Sequence, residues 1–360
     1  MQAKIRNSSV YRKNARIQNG QNGVQNGLSL DTLAQLVTNP VNRGFTGGVD
    51  DDFKVSGGTS TLDLKSLQKR ARRKTFTAHL VPGLVTAADN SGSCLQKGYW
   101  RSYHCCSVLT VDADGRAHGK YCKQRWCMVC NSIRTAQNII RYGPIVNSWG
   151  SDVYFVTLTE KNCKGECLRQ RIDRMQKTFT KVKNSLRMQI RRSSVDADPF
   201  VGIRKLECTH NEKTNEYNPH YHLVIRGREY AEYVLNEWVK RNVYAKRPGQ
   251  DIRPADGNTL VELFKYMTKV VTRVDGRSRQ INHRALDVIF LALRRKRTIQ
   301  PFGFKVSAIE EEEAVVDAEM FSRVYAWIHE MYDWVEVSTG DMLSGYVPSP
   351  EFIKFLDGYK

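Results

Sequence analysis

The sequence predicts an α+β fold in which an antiparallel, ferredoxin-like sheet is flanked by helices. Short runs of β-branched and aromatic residues at 153–159, 203–209 and 220–226 have the composition and length of strands. Two stretches, 168–190 and 228–241, carry apolar residues at steps of three and four, as amphipathic helices do. The resulting order of strand, helix, two strands, helix and a final short strand is that of a split β-α-β sandwich.

Val153 to Thr159, Val-Tyr-Phe-Val-Thr-Leu-Thr, reads as a buried strand. Leu168, Ile172, Met175, Phe179, Val182, Leu186 and Ile190 then mark the helix face that packs on the sheet, opposite a face rich in Arg and Lys. Strand 203–209 and strand 220–226, joined by a polar loop through Asn218-Pro219, form a hairpin. Tyr230, Val234, Trp238 and Arg241 form the stripe of the second helix, and Asp251 to Pro254 a short edge strand. A last helix is predicted over Thr259 to Arg273, with Leu260, Phe264, Met267 and Val271 on its core face and Glu262, Tyr266 and Lys269 on its polar face.

Around this domain, placed at 150–275, the composition changes. Residues 1–98 form a basic, Gly- and Asn-rich region, with Gln-Asn-Gly three times between 18 and 27, and are expected to be largely disordered because such a chain buries too little apolar surface to offset its entropy. Its run Lys69 to Lys74 is either a clamp on phosphates or a solvated helix face. Residues 99–149 are a cysteine- and arginine-rich module. Residues 276–360 are expected to be a helical C-terminal segment with an acidic tail: 284–297 reads as a helix ending in Arg294-Arg295-Lys296-Arg297. Phe321, Val324, Trp327, Ile328, Tyr332 and Trp334 are spaced for a helix with one buried face. Glu310 to Glu313 mark its solvated start, where negative charge suits the helix dipole.

The 360 residues hold 56 Lys and Arg against 37 Asp and Glu. Residues 305–360 have 4 basic and 12 acidic side chains, which leaves residues 1–304 with 52 basic against 25 acidic. An excess of that size favours a nucleic-acid partner over an inert basic surface, because neutralised phosphates release condensed counterions. Nine cysteines, three of them in one tight cluster beside basic residues, are unlike a secreted disulfide framework and point to a reducing compartment. No apolar run approaches the roughly 20 residues of a membrane span, and the N-terminus lacks an apolar signal core. A cytoplasmic protein with no membrane partner is expected. No Gly-x-x-x-x-Gly-Lys-Ser/Thr occurs, so unwinding is left to a host helicase.

His220 and His222 in Asn-Pro-His-Tyr-His share one strand face and can share a divalent cation. Taken alone, such a pair is more often structural or at the surface than metal-binding. Glu207 across the hairpin adds a carboxylate, and this nitrogen and oxygen set with open positions suits Mg²⁺ or Mn²⁺, either of which polarises a phosphoryl oxygen. The hydroxyl of Tyr266 can attack phosphorus to form a phosphotyrosine. Lys269 eases its deprotonation, and Glu262 is placed as a general base for a water or for the tyrosine. Cys122-Lys-Gln-Arg-Trp-Cys127-Met-Val-Cys130 offers three thiolates for a structural Zn²⁺. Cys105 is the preferred fourth ligand, with Cys106, His104 and His118 as rivals and free buried thiols as the alternative. Arg125, Arg134 and Arg141 alongside are candidates for holding DNA.

Three motifs occur in order: Phe155-Val-Thr-Leu-Thr159 with Glu-Lys-Asn162, then Pro219-His-Tyr-His222, then Glu262-x-x-x-Tyr266-x-x-Lys269. Over about residues 105–275 they resemble rolling-circle replication initiators, the His-hydrophobe-His endonucleases, and more narrowly bacterial plasmid replication (Rep) proteins of the Rep_1 type. The resemblance implies that His220, His222 and Glu207 are metal ligands. It implies that Tyr266 nicks DNA, leaving a 5′-phosphotyrosine and a free 3′-hydroxyl for a host polymerase, that Glu262 helps water end the cycle, and that Lys269 is the lysine that follows the tyrosine. Thr157 and Thr159 would shape the sheet beside the site. The chain departs from the pattern at Asn218, Val270 and Met128, where relatives often have His, Tyr and Pro. The implied activity is metal-dependent nicking and rejoining of one strand of single-stranded or hairpin origin DNA. A relaxase or transposase fits less well, because here the tyrosine follows the histidines. A non-catalytic, zinc-containing nucleic-acid regulator is the alternative from another class. Oligomeric state is not legible.

Overall fold

The computed structural model describes residues 64–112, 117–193, 198–265, 272–274, 278–305 and 321–357. Its N-terminal part comprises α1 (Leu64–Ser91), α2 (Gln96–Tyr103), β1 (Val108–Asp112), β2 (Ala117–Gly119) and α3 (Met128–Asn147). The middle comprises β3 (Val153–Thr159), α4 (Gly165–Ser193), β4 (Gly202–Asn211), β5 (Glu216–Arg226), α5 (Arg228–Arg241), β6 (Asp251–Pro254) and α6 (Thr259–Phe264). There follow β7 (Thr272–Val274), β8 (Ser278–Gln280), α7 (His283–Ala292), β9 (Ile299–Phe302), β10 (Phe321–Ile328), β11 (Asp333–Glu336) and α8 (Pro350–Asp357). It is a mixed α/β chain of antiparallel sheets flanked by helices.

The larger sheet has the order β6-β3-β5-β4-β9, each strand antiparallel to its neighbours. Strand alternation gives its two faces different fates. On one, Val156, Leu158, Leu206, Tyr221, Leu223 and Ile225 meet the stripe of α4 from Leu168 to Leu186, together with Val234 and Trp238 of α5 and Ile289 and Phe290 of α7. Fully burying each such side chain contributes about 1.5–3 kcal/mol, so this face is the main core. On the other, Phe155, Ile203 and Val224 are covered by Tyr142 and Val146 of α3 and by Leu263 and Phe264 of α6. Past that patch the same face turns polar, with Thr157, Thr159, Lys205, Glu207, His220 and His222.

Buried Glu160 ties the end of β3 to its surroundings. It accepts from Asn242 Nδ2 at 2.6 Å and pairs with Arg174 at 3.2 Å and Arg171 at 3.4 Å. Both guanidiniums lie 4.0 Å from the ring centre of Tyr244. Among the described residues no helix is long and apolar enough to cross a membrane.

Several expectations are corrected. Residues 64–91, inside the region expected to be largely disordered, form α1, because Phe76, Leu80, Val81, Leu84 and Ala88 recur at helical spacing and enter the main core. The Gly- and Asn-rich composition stops short of this helix. Its basic run braces the interior: Arg70 Nη1 donates to the Tyr121 hydroxyl at 2.9 Å, and the Arg72 guanidinium lies 5.4 Å over the Phe352 ring. Lys74 is fully buried and donates to the Tyr103 carbonyl at 2.6 Å.

The C-terminal aromatics lie on strands, or for Tyr332 in the turn between two strands, and not on an α-helix. β10 fills the edge of β1 in a second sheet of order β11-β10-β1-β2, with Val108 opposite Ala326 and Thr110 opposite Val324. Tyr325 and Trp327 are buried while Val324 and Ile328 are exposed, a period of two. Glu310 to Glu313 lie outside the described residues.

The helix predicted to run to Arg273 ends at Phe264, and 272–274 instead pair with 278–280. The sequence around the hairpin has the β-branched run Val270-Val271-Thr272 and the turn-forming pair Asp275-Gly276. Tyr266 and Lys269 lie outside the described residues. Similarly, the helix expected over 284–297 ends at Ala292, and its basic end is a turn.

Candidate functional site

β4 and β5 pair with Glu207 opposite His220 and Lys205 opposite His222, while β3 sets Thr157 opposite His222 and Thr159 opposite His220. All six side chains therefore rise from one face, where the cover of α3 and α6 ends. The imidazoles stand 4.9 Å apart and nearly perpendicular. Glu207 Oε2 lies 3.4 Å from His220 Nε2 and 3.5 Å from His222 Nε2, and the three donor atoms fall within 4.8 Å of one another. Metal–ligand bonds of about 2.0–2.2 Å would put neighbouring donors roughly 3.0–3.5 Å apart, so the spacing fits one divalent cation.

The outer contacts of the imidazoles orient them, and that of His220 sets its tautomer. His220 Nδ1 lies 3.0 Å from the Asn218 carbonyl, which can only accept, so Nδ1 carries the proton and Nε2 presents its lone pair to the centre. His222 Nδ1 meets Thr157 Oγ1 at 3.2 Å, and the Phe155 ring stacks on its imidazole at 5.2 Å. Holding the far nitrogen in this way orients a ligating histidine. With His222 in the same tautomer, two lone pairs and a carboxylate oxygen converge, an arrangement that calls for a positive charge between them.

Lys205 supplies a charge on the other side. Fully buried, its ammonium donates to Glu207 Oε1 and, at 2.7 Å, to the Lys265 carbonyl. Burial alone would push the Glu207 carboxyl up. The Lys205 ammonium, and after it the neighbouring imidazoles of His220 and His222, more than offset this and hold it well below the usual carboxylate range. Burial depresses Lys205, with Glu207 acting against it. Burial likewise depresses His222 against the pull of Glu207, which keeps its imidazole neutral and able to ligate at neutral pH.

These shifts fix a pH dependence. Glu207 and His222 both hold fewer protons in the folded chain than their unfolded values of about 4.3 and 6.5 would give, so their contribution is present above about pH 6.5 and is lost as pH falls. The urea midpoint of the metal-free protein is expected to be lower at pH 5 than at pH 7.5, and the gap to narrow in His222→Gln. A midpoint equal at the two pH values would contradict this assignment.

Glu262 sits beside the centre rather than in it. Its Oε2 lies 2.5 Å from Arg253 Nη2 and its Oε1 3.9 Å from Lys265 Nζ. Arg253 in turn lies 4.9 Å over the Phe155 ring that stacks on His222. The end of α6 is pinned from both sides: Thr135 Oγ1 donates to the Phe264 carbonyl at 2.9 Å, and Lys205 takes the next carbonyl, that of Lys265. A continuing helix would need those carbonyls for itself, which accounts for the break there.

A second cluster forms in the cysteine module. Cys127 caps α3 and Cys130 lies in its first turn. Cys130 Sγ is 3.5 Å from both Cys105 Sγ and Cys122 Sγ, and all four sulfurs fall within 4.8 Å. Four thiolates around one ion with bonds of about 2.3 Å stand roughly 3.8 Å apart, so the set fits a tetrahedral metal. Hydrogen bonds from Cys105, Cys127 and Cys130 hold the Cys122 thiol well below its ordinary range. Lys74 places a buried positive charge beside these sulfurs. Of the rival fourth ligands, His118 is paired with Asp112 at 2.9 Å, His104 packs on the Tyr103 ring, and the sulfur of Cys106 is not among the four.

Arg125 points inward: its Nη1 and Nη2 donate to the Leu293 and Lys296 carbonyls at 3.1 and 2.6 Å. Arg134 donates to the Lys123 carbonyl at 2.9 Å and lines a cleft of about 380 Å³ with Lys123, Lys205 and Lys265. Arg141 lies farther along α3, against Tyr142. The sequence reading missed Lys205 and Thr135. Alternation places Lys205 on the Glu207 face, but a buried ammonium cannot be told from a solvated one by sequence.

A family model described as replication protein, Rep_1, matches residues 116–324. A protein named "Protein rep" from Staphylococcus aureus is 30% identical over 165 residues, which cover 41% of this chain and 69% of that relative. Relatives of the same name from Bacillus sp and Bacillus amyloliquefaciens are each 28% identical over 155 residues, or 39% of this chain and 48% and 43% of theirs. The chain thus spans a little under half the length of the two Bacillus proteins. No solved structure matches. With the family model laid over more than half of the sequence, including both hairpin strands and three of the four clustered cysteines, the chain belongs to the Rep_1 family of replication proteins.

Proposed function

We propose that this protein initiates rolling-circle replication of a plasmid in the cytoplasm by nicking one strand of its origin and later rejoining it. The observation that carries the reading is the convergence of His220 Nε2, His222 Nε2 and Glu207 Oε2 on one sheet face, with Lys205 joining that carboxylate to the carbonyl of the residue before Tyr266. The strand order β6-β3-β5-β4, with α4 and α5 as crossovers, supports a ferredoxin-like sheet of the His-hydrophobe-His kind.

Bound at this centre, Mg²⁺ or Mn²⁺ would polarise an oxygen of the scissile phosphate. The Tyr266 oxygen forms a bond to phosphorus as the bond to the 3′ oxygen breaks. The phenolic proton passes to a base, and the departing oxygen ends as a 3′-hydroxyl for a host polymerase to extend. The 5′-phosphotyrosine keeps the bond's energy for rejoining. Lys269 would stabilise the phenolate, and Glu262, once released from Arg253, would activate the water that ends the cycle. The substrate is a strand already unpaired in an origin hairpin, since a directed displacement needs a reachable phosphate. Unwinding beyond it falls to a host helicase.

The test is a divalent-cation titration of cleavage of a single-stranded origin oligonucleotide. Cleavage should appear with Mn²⁺ or Mg²⁺ and vanish in a chelator; equal cleavage in both would overturn the metal reading.

In the same proposal Cys105, Cys122, Cys127 and Cys130 hold a structural Zn²⁺ that fixes the start of α3. The purified protein is expected to contain about one zinc per chain, and Cys127→Ser to lose both the zinc and the cooperative thermal transition, because binding energy at such a site is folding energy. A zinc-free protein with an unchanged melt would contradict the assignment.

A further inference from the structure

A second cleft, also of about 380 Å³, opens on the far side of Lys123 and Arg125 from the first, and these two residues line both. Its outer wall carries Lys97 and Arg101, one turn apart on α2, and Arg294 and Arg295 after α7. Among the described residues no acidic side chain lines either cleft. At the inner end the first cleft reaches Lys205 and Lys265, which touch the metal-binding carboxylate and α6.

The turn that presents Arg294 and Arg295 is built, not loose. Arg125 donates to the Leu293 and Lys296 carbonyls, and Arg169 Nη1 to those of Leu291 and Arg294 at 3.3 and 3.4 Å. Arg295 is held in the left-handed region, φ 60°, which an arginine adopts only where its surroundings impose it. Lys296 is paired with Asp173, while Arg294, Arg295, Lys97 and Arg101 are exposed. Two guanidiniums thus hold in place a turn that points further positive charge into the cleft, an arrangement that internal packing does not require.

We propose that the two clefts are one channel for the sugar-phosphate backbone of a single DNA strand, running from Lys97, Arg101 and the 293–297 turn past Lys123 to the Glu207–His220–His222 centre. This rests on the reading of that centre as the nicking site. A separated strand is favoured because a cleft of this volume takes a nucleotide or two. A duplex, whose major groove alone is about 12 Å wide, does not enter it.

The test is binding without cleavage. The full chain, kept with its zinc and in buffer without Mg²⁺ or Mn²⁺, is titrated with a fluorescent single-stranded origin oligonucleotide at several salt concentrations, so the result stands even if the tyrosine or metal roles fail. Each phosphate contact on a single strand contributes about 0.7 to the slope of log K against log salt. Lys97→Gln/Arg101→Gln/Arg295→Gln should lower that slope by about 2 and leave the slope for a blunt duplex unchanged. Lys240→Gln, on α5 behind the sheet, should change neither. Should the triple variant fail to fold, each single variant should lower the slope by about 0.7. An unchanged single-strand slope, or an equal fall for the duplex, would overturn the channel and leave a generic basic surface.

Discussion

Tyr266→Phe is expected to abolish strand cleavage and covalent attachment, lowering the cleavage rate by at least about a thousandfold, the order of loss that follows deletion of a covalent nucleophile. Origin binding should stay within about twofold, because the phenylalanine keeps the ring and the basic clefts are untouched. The pinning of the Phe264 and Lys265 carbonyls by Thr135 and Lys205 does not depend on the side chain at 266, so the thermal midpoint should not move. Gel shift and denaturing gel on the same oligonucleotide check both halves. Retained cleavage in the variant would remove Tyr266 as the nucleophile, and no cleavage by the unaltered chain would support the non-catalytic regulator instead.

The second large effect separates the metal ligands from each other. His220→Ala/His222→Ala should remove cation-dependent cleavage by at least about a hundredfold, more than loss of an outer-shell partner alone produces, while the chain remains folded. Glu207→Ala should remove cleavage as well and should also destabilise the fold. It removes the carboxylate that pairs with the fully buried Lys205 ammonium. Breaking one side of a buried ion pair costs about 3–5 kcal/mol, which for a chain of this size lowers the melting temperature by roughly 4–7 °C. Calorimetry of the metal-free variants checks this. Equal melting of the histidine and glutamate variants would mean that Lys205 does not depend on Glu207.

Sequence pattern carried the middle of the chain well, for physical reasons. β3, α4, β5 and α5 each bury a continuous face, so period two or period 3.6 is written into their apolar residues, from Val153 to Leu158 and from Leu168 to Leu186. The convergence of His220, His222 and Glu207 was likewise legible, because strand alternation fixes which residues share a face. The errors fall where tertiary partners decide. Phe321 to Trp334 suits either period, and only the open edge of β1 selects a strand. Helical spacing continues in the sequence past Phe264, but α6 stops there, where Thr135 and Lys205 satisfy the carbonyls at its end. Residues 64–91 were hidden by the low-complexity sequence before them, and the hydrogen bonds from Arg125 to the Leu293 and Lys296 carbonyls join segments too far apart in sequence to be foreseen.

The central claim is that a cation held by two imidazoles and a carboxylate acts on the same phosphate that Tyr266 attacks. Single-stranded origin DNA, labelled at one end or the other, is incubated with Mn²⁺ and the protein, and the products are resolved on a denaturing gel. The account predicts protein-linked label only on the fragment whose 5′ end was created by the cut, a free 3′-hydroxyl on the other fragment, and loss of both in a chelator. Linkage to the 3′ side, or cleavage with no linked protein, would contradict it.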